Sequence, residues 1–166
     1  MAVAAAQQTN QYLTFTLDQE HFAVEIAKVR EVLEFTGVTK VPRTPEFMRG
    51  VINLRGSVVP VVDLKRKFGM GATEATVSTC VVIAEVAVEG ETTVLGALAD
   101  SVQEVIELDP AQVEPPPRIG TRLRTEFIRG MGKRDEEFLI LLDIDRVFSA
   151  DELGQVQAAG EPAAAA

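Results

Sequence analysis

Three segments of the chain occur twice, in the same order. KVREVLEF at 28–35 resembles SVQEVIEL at 101–108, PEFMRG at 45–50 resembles TEFIRG at 125–130, and PVVDLKRKF at 60–68 resembles ILLDIDRVF at 140–148. The first pair is offset by 73 residues and the other two by 80, so the second copy carries a seven-residue insertion, which the proline-rich stretch 110–122 accommodates. Ordered matches at near-constant spacing mark an internal duplication, with repeats at about 13–68 and 80–148. A unit of about 65 residues buries only roughly 60% of its unfolded surface and is marginal alone. The two copies are therefore expected to stabilise each other by packing together.

Within each copy the pattern is that of strands. Leu13, Phe15 and Leu17 alternate with Thr14 and Thr16, Asp18-Gln19-Glu20 reads as a turn, and Phe22, Val24 and Ile26 resume the alternation, which makes a hairpin. Further strands are expected at 29–35, 51–54, 58–62, 80–88, 92–98, 102–108 and 138–142. Helix is scarce. One turn is predicted at 45–48 with Pro45 at its first position, a short helix after the N-cap Asp63, and a C-terminal helix from Ile144 to about Val156. Stretches 69–78 and 131–139 read as loops, the latter charged. Residues 1–10 are expected to be disordered and 154–166 to form a flexible tail. The fold class is thus mainly β: two small five-stranded barrels, closed because closure removes the exposed edges of short sheets.

Composition narrows the function. The chain has 25 acidic and 16 basic residues and a net charge of −9, which disfavours nucleic acid and anionic membranes as targets. No apolar stretch approaches the roughly 18–20 residues of a membrane span, so no direct membrane insertion is expected. Residues 1–10 lack the features of a secretory signal. One cysteine, Cys80, permits no intrachain disulfide, and one histidine, His21, leaves little material for a metal or catalytic cluster. Phosphate loops, metalloprotease helices and nucleophile elbows have no counterpart here. The expectation is a cytoplasmic protein with no catalytic residues, no metal and no cofactor. Eight Phe and one Tyr also make the aromatic groove of a proline-peptide binder hard to build.

Residues kept in both copies point to structure: Asp63 and Asp143 as helix caps, Gly50 and Gly130 for backbone geometry, Phe68 and Phe148 for the core. The copies part after the matched glycine. The first reads VINLRGSVV at 51–59 and the second MGKRDEEFL at 131–139. Arg55-Gly56 fits a hairpin tip with Gly56 at positive φ. It also fits an arginine presented to a partner, since the guanidinium fork makes several directed hydrogen bonds. Charge is uneven as well. Segment 40–68 has seven basic and two acidic residues, whereas its counterpart 120–148 has six of each. The first copy is expected to steer an acidic partner face.

Asn53-Leu54-Arg55-Gly56 followed by Pro60-Val61-Val62-Asp63-Leu64, with KVREV (28–32), GALADSVQEVIEL (96–108) and LILLDI (139–144), resembles the CheW family of bacterial chemotaxis adaptors. The resemblance covers about residues 11–153. It implies two SH3-like barrels intertwined in one domain around a shared hydrophobic seam. It also implies a non-enzymatic scaffold that joins the regulatory domain of the histidine kinase CheA to the cytoplasmic tip of chemoreceptors, in the cytoplasm at receptor arrays on the inner membrane. The same fold could instead serve a non-flagellar array controlling pili, biofilm or development. Positions matching the family's receptor contacts are Val29, Glu31, Gly50, Arg55, Val81 and Val105, with an ion pair between Glu31 and Arg55. Taken from its residues alone, Val81 reads as barrel core. An exposed pair adds only about 0–1 kcal/mol to stability, which favours a recognition role for Glu31 and Arg55. The kinase-contact residues are not legible.

Overall fold

The computed structural model of the protein describes residues 10–115, 127–134 and 137–160. The expected N-terminal disorder at 1–10 and the end of the expected tail, 161–166, lie almost wholly outside them. The strands are β1 Asn10–Leu17, β2 Glu20–Glu25, β3 Val29–Glu34, β4 Met48–Leu54, β5 Ser57–Asp63, β6 Cys80–Val88, β7 Glu91–Ala99, β8 Ser101–Leu108, β9 Val113–Glu114, β10 Ile128–Arg134 and β11 Glu137–Leu142. Two four-residue helices follow strands β5 and β11, α1 Leu64–Lys67 and α2 Ile144–Val147, and α3 Ala150–Gly160 follows α2.

The strands form two sheets, one ordered β8-β1-β2-β11-β10-β9 and the other β3-β6-β7-β5-β4. Each sheet combines strands of both repeats. The N-terminal hairpin of the first copy, β1–β2, lies between β8 and β11 of the second copy. The hairpin of the second, β6–β7, lies between β3 and β5 of the first. The junctions correspond: β5 runs parallel to β7 and β11 parallel to β2, while the remaining pairs are antiparallel. Even the ladder irregularities match, between Val29 and Glu31 on β3 and opposite Leu13 and Phe15 on β8, and between Met48 and Gly50 and between Ile128 and Gly130. The fold is mainly β with short helices, as the sequence predicts.

Strand periodicity explains how this arrangement is held. Alternate residues of a strand point to opposite faces. On β1 and β2, Tyr12 and Ala23 face a small core with Ile106, Leu108, Leu139 and Leu141, whereas Leu13, Phe15, Leu17, Phe22 and Val24 join the largest cluster. On β6 and β7, Val81, Ile83 and Leu98 face the other small core, and Val82, Val86, Leu95, Ala97 and Ala99 enter the same large cluster. Each barrel thus has its own interior, and the seam between them is the main core. Stacked or tilted rings of Phe15, Phe22, Phe68 and Phe127 run through it. Fully burying such a side chain is worth about 1.5–3 kcal/mol. Phe68 and Phe148 both lie there, as expected.

Several local expectations change. Residues 45–48 form a turn closed by the Met48 amide donating to the Pro45 carbonyl at 2.9 Å, not a helical turn, and Met48 already begins β4. Met131-Gly132-Lys133-Arg134, expected as loop, is strand β10, paired with β9 and β11. Its charge and glycines hide a strand that the flanking ladders impose. The C-terminal helix is broken at Ser149: the Glu152 amide donates to Ser149 Oγ at 3.1 Å, and the Glu152 carboxylate accepts from the Ser149 amide at 2.9 Å, a reciprocal cap that starts α3. Helix α3 then runs to Gly160. The described part of the proline-rich stretch is a 3-10 turn at Pro110–Gln112, capped by Asp109, followed by β9.

Of the paired aspartates only one caps. Asp63 accepts from the Lys65 amide at 3.1 Å, while Asp143 makes no side-chain cap and meets Arg146 at 3.5 Å. Asp63 is buried and does more. It accepts from the Thr73 amide at 2.8 Å, the Thr73 hydroxyl at 2.7 Å and Arg49 at 3.1 Å, tying the loop between the copies to the end of β5.

The paired glycines share one duty. Gly50 has φ +152, and a Cβ there would drive into the Thr39 carbonyl oxygen and lie 3.0 Å from Val38 Cβ. At Gly130 a Cβ would meet Val113 Cγ1 at 2.7 Å and the Glu114 carbonyl oxygen at 2.9 Å. Both glycines let a covering segment close over the strand, the Thr39–Val51 bridge in one copy and β9 in the other. Gly50→Ala is expected to lower stability by about 3 kcal/mol, by urea denaturation, because backbone rather than a flexible side chain must move.

Helix α3 is latched across the seam. Lys67 Nζ pairs with Glu152 at 2.8 Å and sits 5.5 and 5.4 Å from the ring centroids of Phe47 and Phe127. Burial works against the Glu152 carboxylate. Hydrogen bonds from Lys67 and the Ser149 amide, with the charge of Lys67, outweigh it and hold the pKa below its usual 4.5. A depressed pKa stabilises the fold above the unfolded value and is lost as pH falls through the folded one. The Glu152→Gln variant should therefore melt lower at neutral pH and lose less stability than the parent below about pH 4.5, by thermal denaturation across pH.

Candidate functional site

The hairpin joining β4 to β5 turns at Arg55 and Gly56, with φ of 52° and 91°. Positive φ at both central residues is the type I′ turn, which matches strand twist and prefers Asn-Gly. Gly56 adopts it freely. Arg55 does so at a cost of about 1 kcal/mol. Asn53 Oδ1 accepts from the Gly56 amide at 2.8 Å and closes the turn from within. The Asn-Leu-Arg-Gly run is thus a turn with its own brace, and it holds Arg55 outward, 70% exposed.

Arg55 Nη2 donates to Glu31 Oε2, so the ion pair expected between these residues forms. The ladder irregularity on β3 makes this possible. Val29 pairs with Ala84 and Glu31 with the next residue, Ile83, leaving Arg30 as the extra residue of a bulge. Simple alternation puts residues 30 and 31 on opposite faces. The bulge brings both to one groove of about 430 Å3, lined also by Leu54, Ser57, Val58, Val59, Ile83 and Val94. Its floor is apolar, and Val58 is 45% exposed. Its rim is charged, with Arg30 Nε 3.2 Å from Glu85 and Arg55 on Glu31. Such a groove can take an apolar helix face while the rim fixes orientation. Among the described residues no three His, Cys, Asp or Glu side chains converge as metal ligands.

The remaining expected positions are dispersed. Val29 is half-buried against the main core. Gly50 is buried beneath Thr39, and Val81 is 2% exposed inside its barrel, so the core reading of Val81 describes its surroundings. Val105 is 47% exposed but stands on β8, in the other sheet. Sequence reasoning missed Arg30, Val58 and Val94. Val58 carried a signal, as the apolar residue next to the braced turn. Arg30 carried none, since bulges have no local sequence mark here.

The basic excess of 40–68 looks different in three dimensions. Arg49 is paired with Asp63, Lys65 with Asp18 and Asp100, and Lys67 with Glu152. Much of that charge is neutralised by acidic residues remote in sequence.

Fold and groove together define a duplicated, hairpin-exchanged β-barrel module with a charged rim around an apolar groove. The family model of the CheW-like domain matches residues 11–152. The chain is 35% identical to chemotaxis protein CheW of Klebsiella aerogenes over 146 residues, 88% of this chain and 86% of that one. It is 33% identical to chemotaxis protein CheW of Rhizobium meliloti over 155 residues, 92% and 97% of the two chains. The crystal structure of scaffolding protein TtCheW from Thermoanaerobacter tengcongensis superposes with a TM-score of 0.75 at 35% identity, covering 86% of this chain and 90% of that chain. The chain belongs to the CheW-like family.

Because Arg55 occupies a position that Asn fills without strain, Arg55→Asn should leave Tm unchanged or raise it, whereas Asn53→Ala should cost about 1 kcal/mol through the lost bond to Gly56. Thermal melts of the two variants check both.

Proposed function

We propose that the protein is a non-enzymatic scaffold that couples chemoreceptors to the histidine kinase CheA in bacterial chemotaxis. The observation that carries this reading is the braced Arg55 paired with Glu31 on the rim of an apolar groove. Relatives named chemotaxis protein CheW and a structure named as a scaffolding protein support it. A helix of the receptor's cytoplasmic tip lies in the groove over Leu54 and Val58, with a carboxylate or carbonyl taking the free hydrogens of Arg55. Val29 and Glu31 border this contact. Gly50 and Val81 support it from beneath, and Val105 offers a separate contact on the other sheet. The regulatory domain of the kinase binds elsewhere on the barrels. The protein acts in the cytoplasm and is recruited to receptor arrays. No described helix is long and apolar enough to cross a membrane.

The 30% identity to protein FrzA of Myxococcus xanthus, over 87% of this chain and 88% of that one, supports a second reading, an adaptor of a non-flagellar array. Pull-down of a specific kinase separates the two.

Reconstitution of the protein with a candidate CheA and a receptor cytoplasmic fragment tests the coupling itself, scored by kinase activation. Arg55→Glu should weaken receptor binding by about tenfold or more while kinase-domain binding and Tm stay at the parent values. A large fall in Tm would make Arg55 structural, and unchanged receptor binding would remove it from the contact.

A further inference from the structure

The described cations are almost all paired within the chain. Lys28, Arg30, Arg49, Arg55, Lys65, Arg66, Lys67, Arg129, Lys133 and Arg146 each lie within 4.0 Å of a carboxylate. Among the described side chains, Lys40 and Arg43 have no such partner, and both belong to the loop between β3 and β4. Arg66, which lines one cavity with Lys40, is held only by a long contact of 3.9 Å to the largely exposed Glu46. In a chain of net charge −9, two unpaired cations in one loop are a notable omission.

Backbone geometry singles out the same loop. Arg43 has φ 61° and follows Pro42. That is the second central position of a proline turn, where glycine is favoured. The Thr44 hydroxyl donates to the Val41 carbonyl at 3.1 Å and holds the turn. Of the described non-glycine residues at positive φ, the cations are Arg43 and Arg55. Strained positions of this kind concentrate where a side chain must be presented. Arg43 lies in the loop that leads into β4, and Arg55 at the turn that leaves it.

Between the loop and the hairpin's open end lies a second cavity of about 410 Å3, lined by Lys40, Val41, Glu46, Met48, Arg49, Asp63, Arg66 and Ala72. Its buried carboxylate, Asp63, is already occupied by Arg49, Thr73 and the Lys65 amide. Glu46 remains, against Lys40 and Arg66, with the exposed Arg43 on the same loop two residues beyond Val41 of the lining. The cations are exposed and spread along an open, partly apolar surface, not gathered round one buried point. That suits successive side chains of a peptide better than a compact free anion.

We propose that Lys40, Arg43 and Arg66 form a second docking site, for a carboxylate-rich segment of a protein partner. The site is separate from the groove at Arg55 and does not depend on what occupies that groove. A decapeptide of alternating Glu and Ala, with blocked ends, is the probe, titrated into the isotope-labelled full chain and followed by amide NMR shifts. Shifts should concentrate at 39–46, 66 and 72 and shrink as salt is raised from about 50 to 300 mM. The double variant Lys40→Gln/Arg43→Gly should weaken binding about three- to tenfold without lowering Tm, since glycine relieves the positive φ. Arg55→Asn should leave peptide affinity unchanged. Shifts centred on residue 55 or scattered over the surface, equal shifts from inorganic phosphate at the same concentration, or undiminished affinity in the double variant would each overturn the proposal.

Discussion

Strands β1, β2, β6 and β7 have their two faces in different cores. One face fills a barrel interior and the other fills the seam between barrels. The rest of the structure depends on this. Because each N-terminal hairpin completes the sheet of the other copy, neither repeat has a finished barrel of its own, and the apolar residues of Leu13, Phe15 and Phe22 would be exposed without the partner repeat. Two units that are marginal by size become one cooperative body. The Lys67–Glu152 latch and the Asp63–Thr73 tether then fix the helix and the loop that lie over the seam.

The exchange also frees the hairpins to differ. Matched duties, the covered glycines and the seam phenylalanines, stay in both copies. The β4–β5 tip of the first copy has a braced turn and an exposed arginine, where the second copy reads Lys133-Arg134-Asp135-Glu136 in place of Asn-Leu-Arg-Gly. Most cations of this acidic chain are absorbed by its own carboxylates, so the net charge says little about the surface. Among the described side chains, Lys40 and Arg43 lack a carboxylate partner, and Arg55 is paired but 70% exposed. Both arginines sit where the backbone favours glycine, which is a cost folding alone would not require.

Much of the fold was legible because strand alternation and turn chemistry are local. The strands at 80–88 and 102–108, the hairpin expected over 13–26 and found at 10–25, and the cap at Asp63 all follow from spacing and residue type. Strand β10 escaped because Gly132, Lys133 and Arg134 carry no alternation. Its conformation comes from the ladders on either side. The groove was half legible: the Asn-Leu-Arg-Gly turn stands out, whereas Arg30 enters only through a bulge, and Val81 and Gly50 prove to be buried.

The sequence by itself determined that there are two copies, where most of their strands lie, and that one tip carries an Asn-Leu-Arg-Gly turn the other lacks. Only the tertiary structure decided which hairpin joins which sheet, which face of each strand meets the seam, and which of the many charges stay unpaired. Those depend on contacts between residues far apart in the chain, such as Thr14 with Glu104 or Lys67 with Glu152. Short-range patterns carry no record of such long-range pairings.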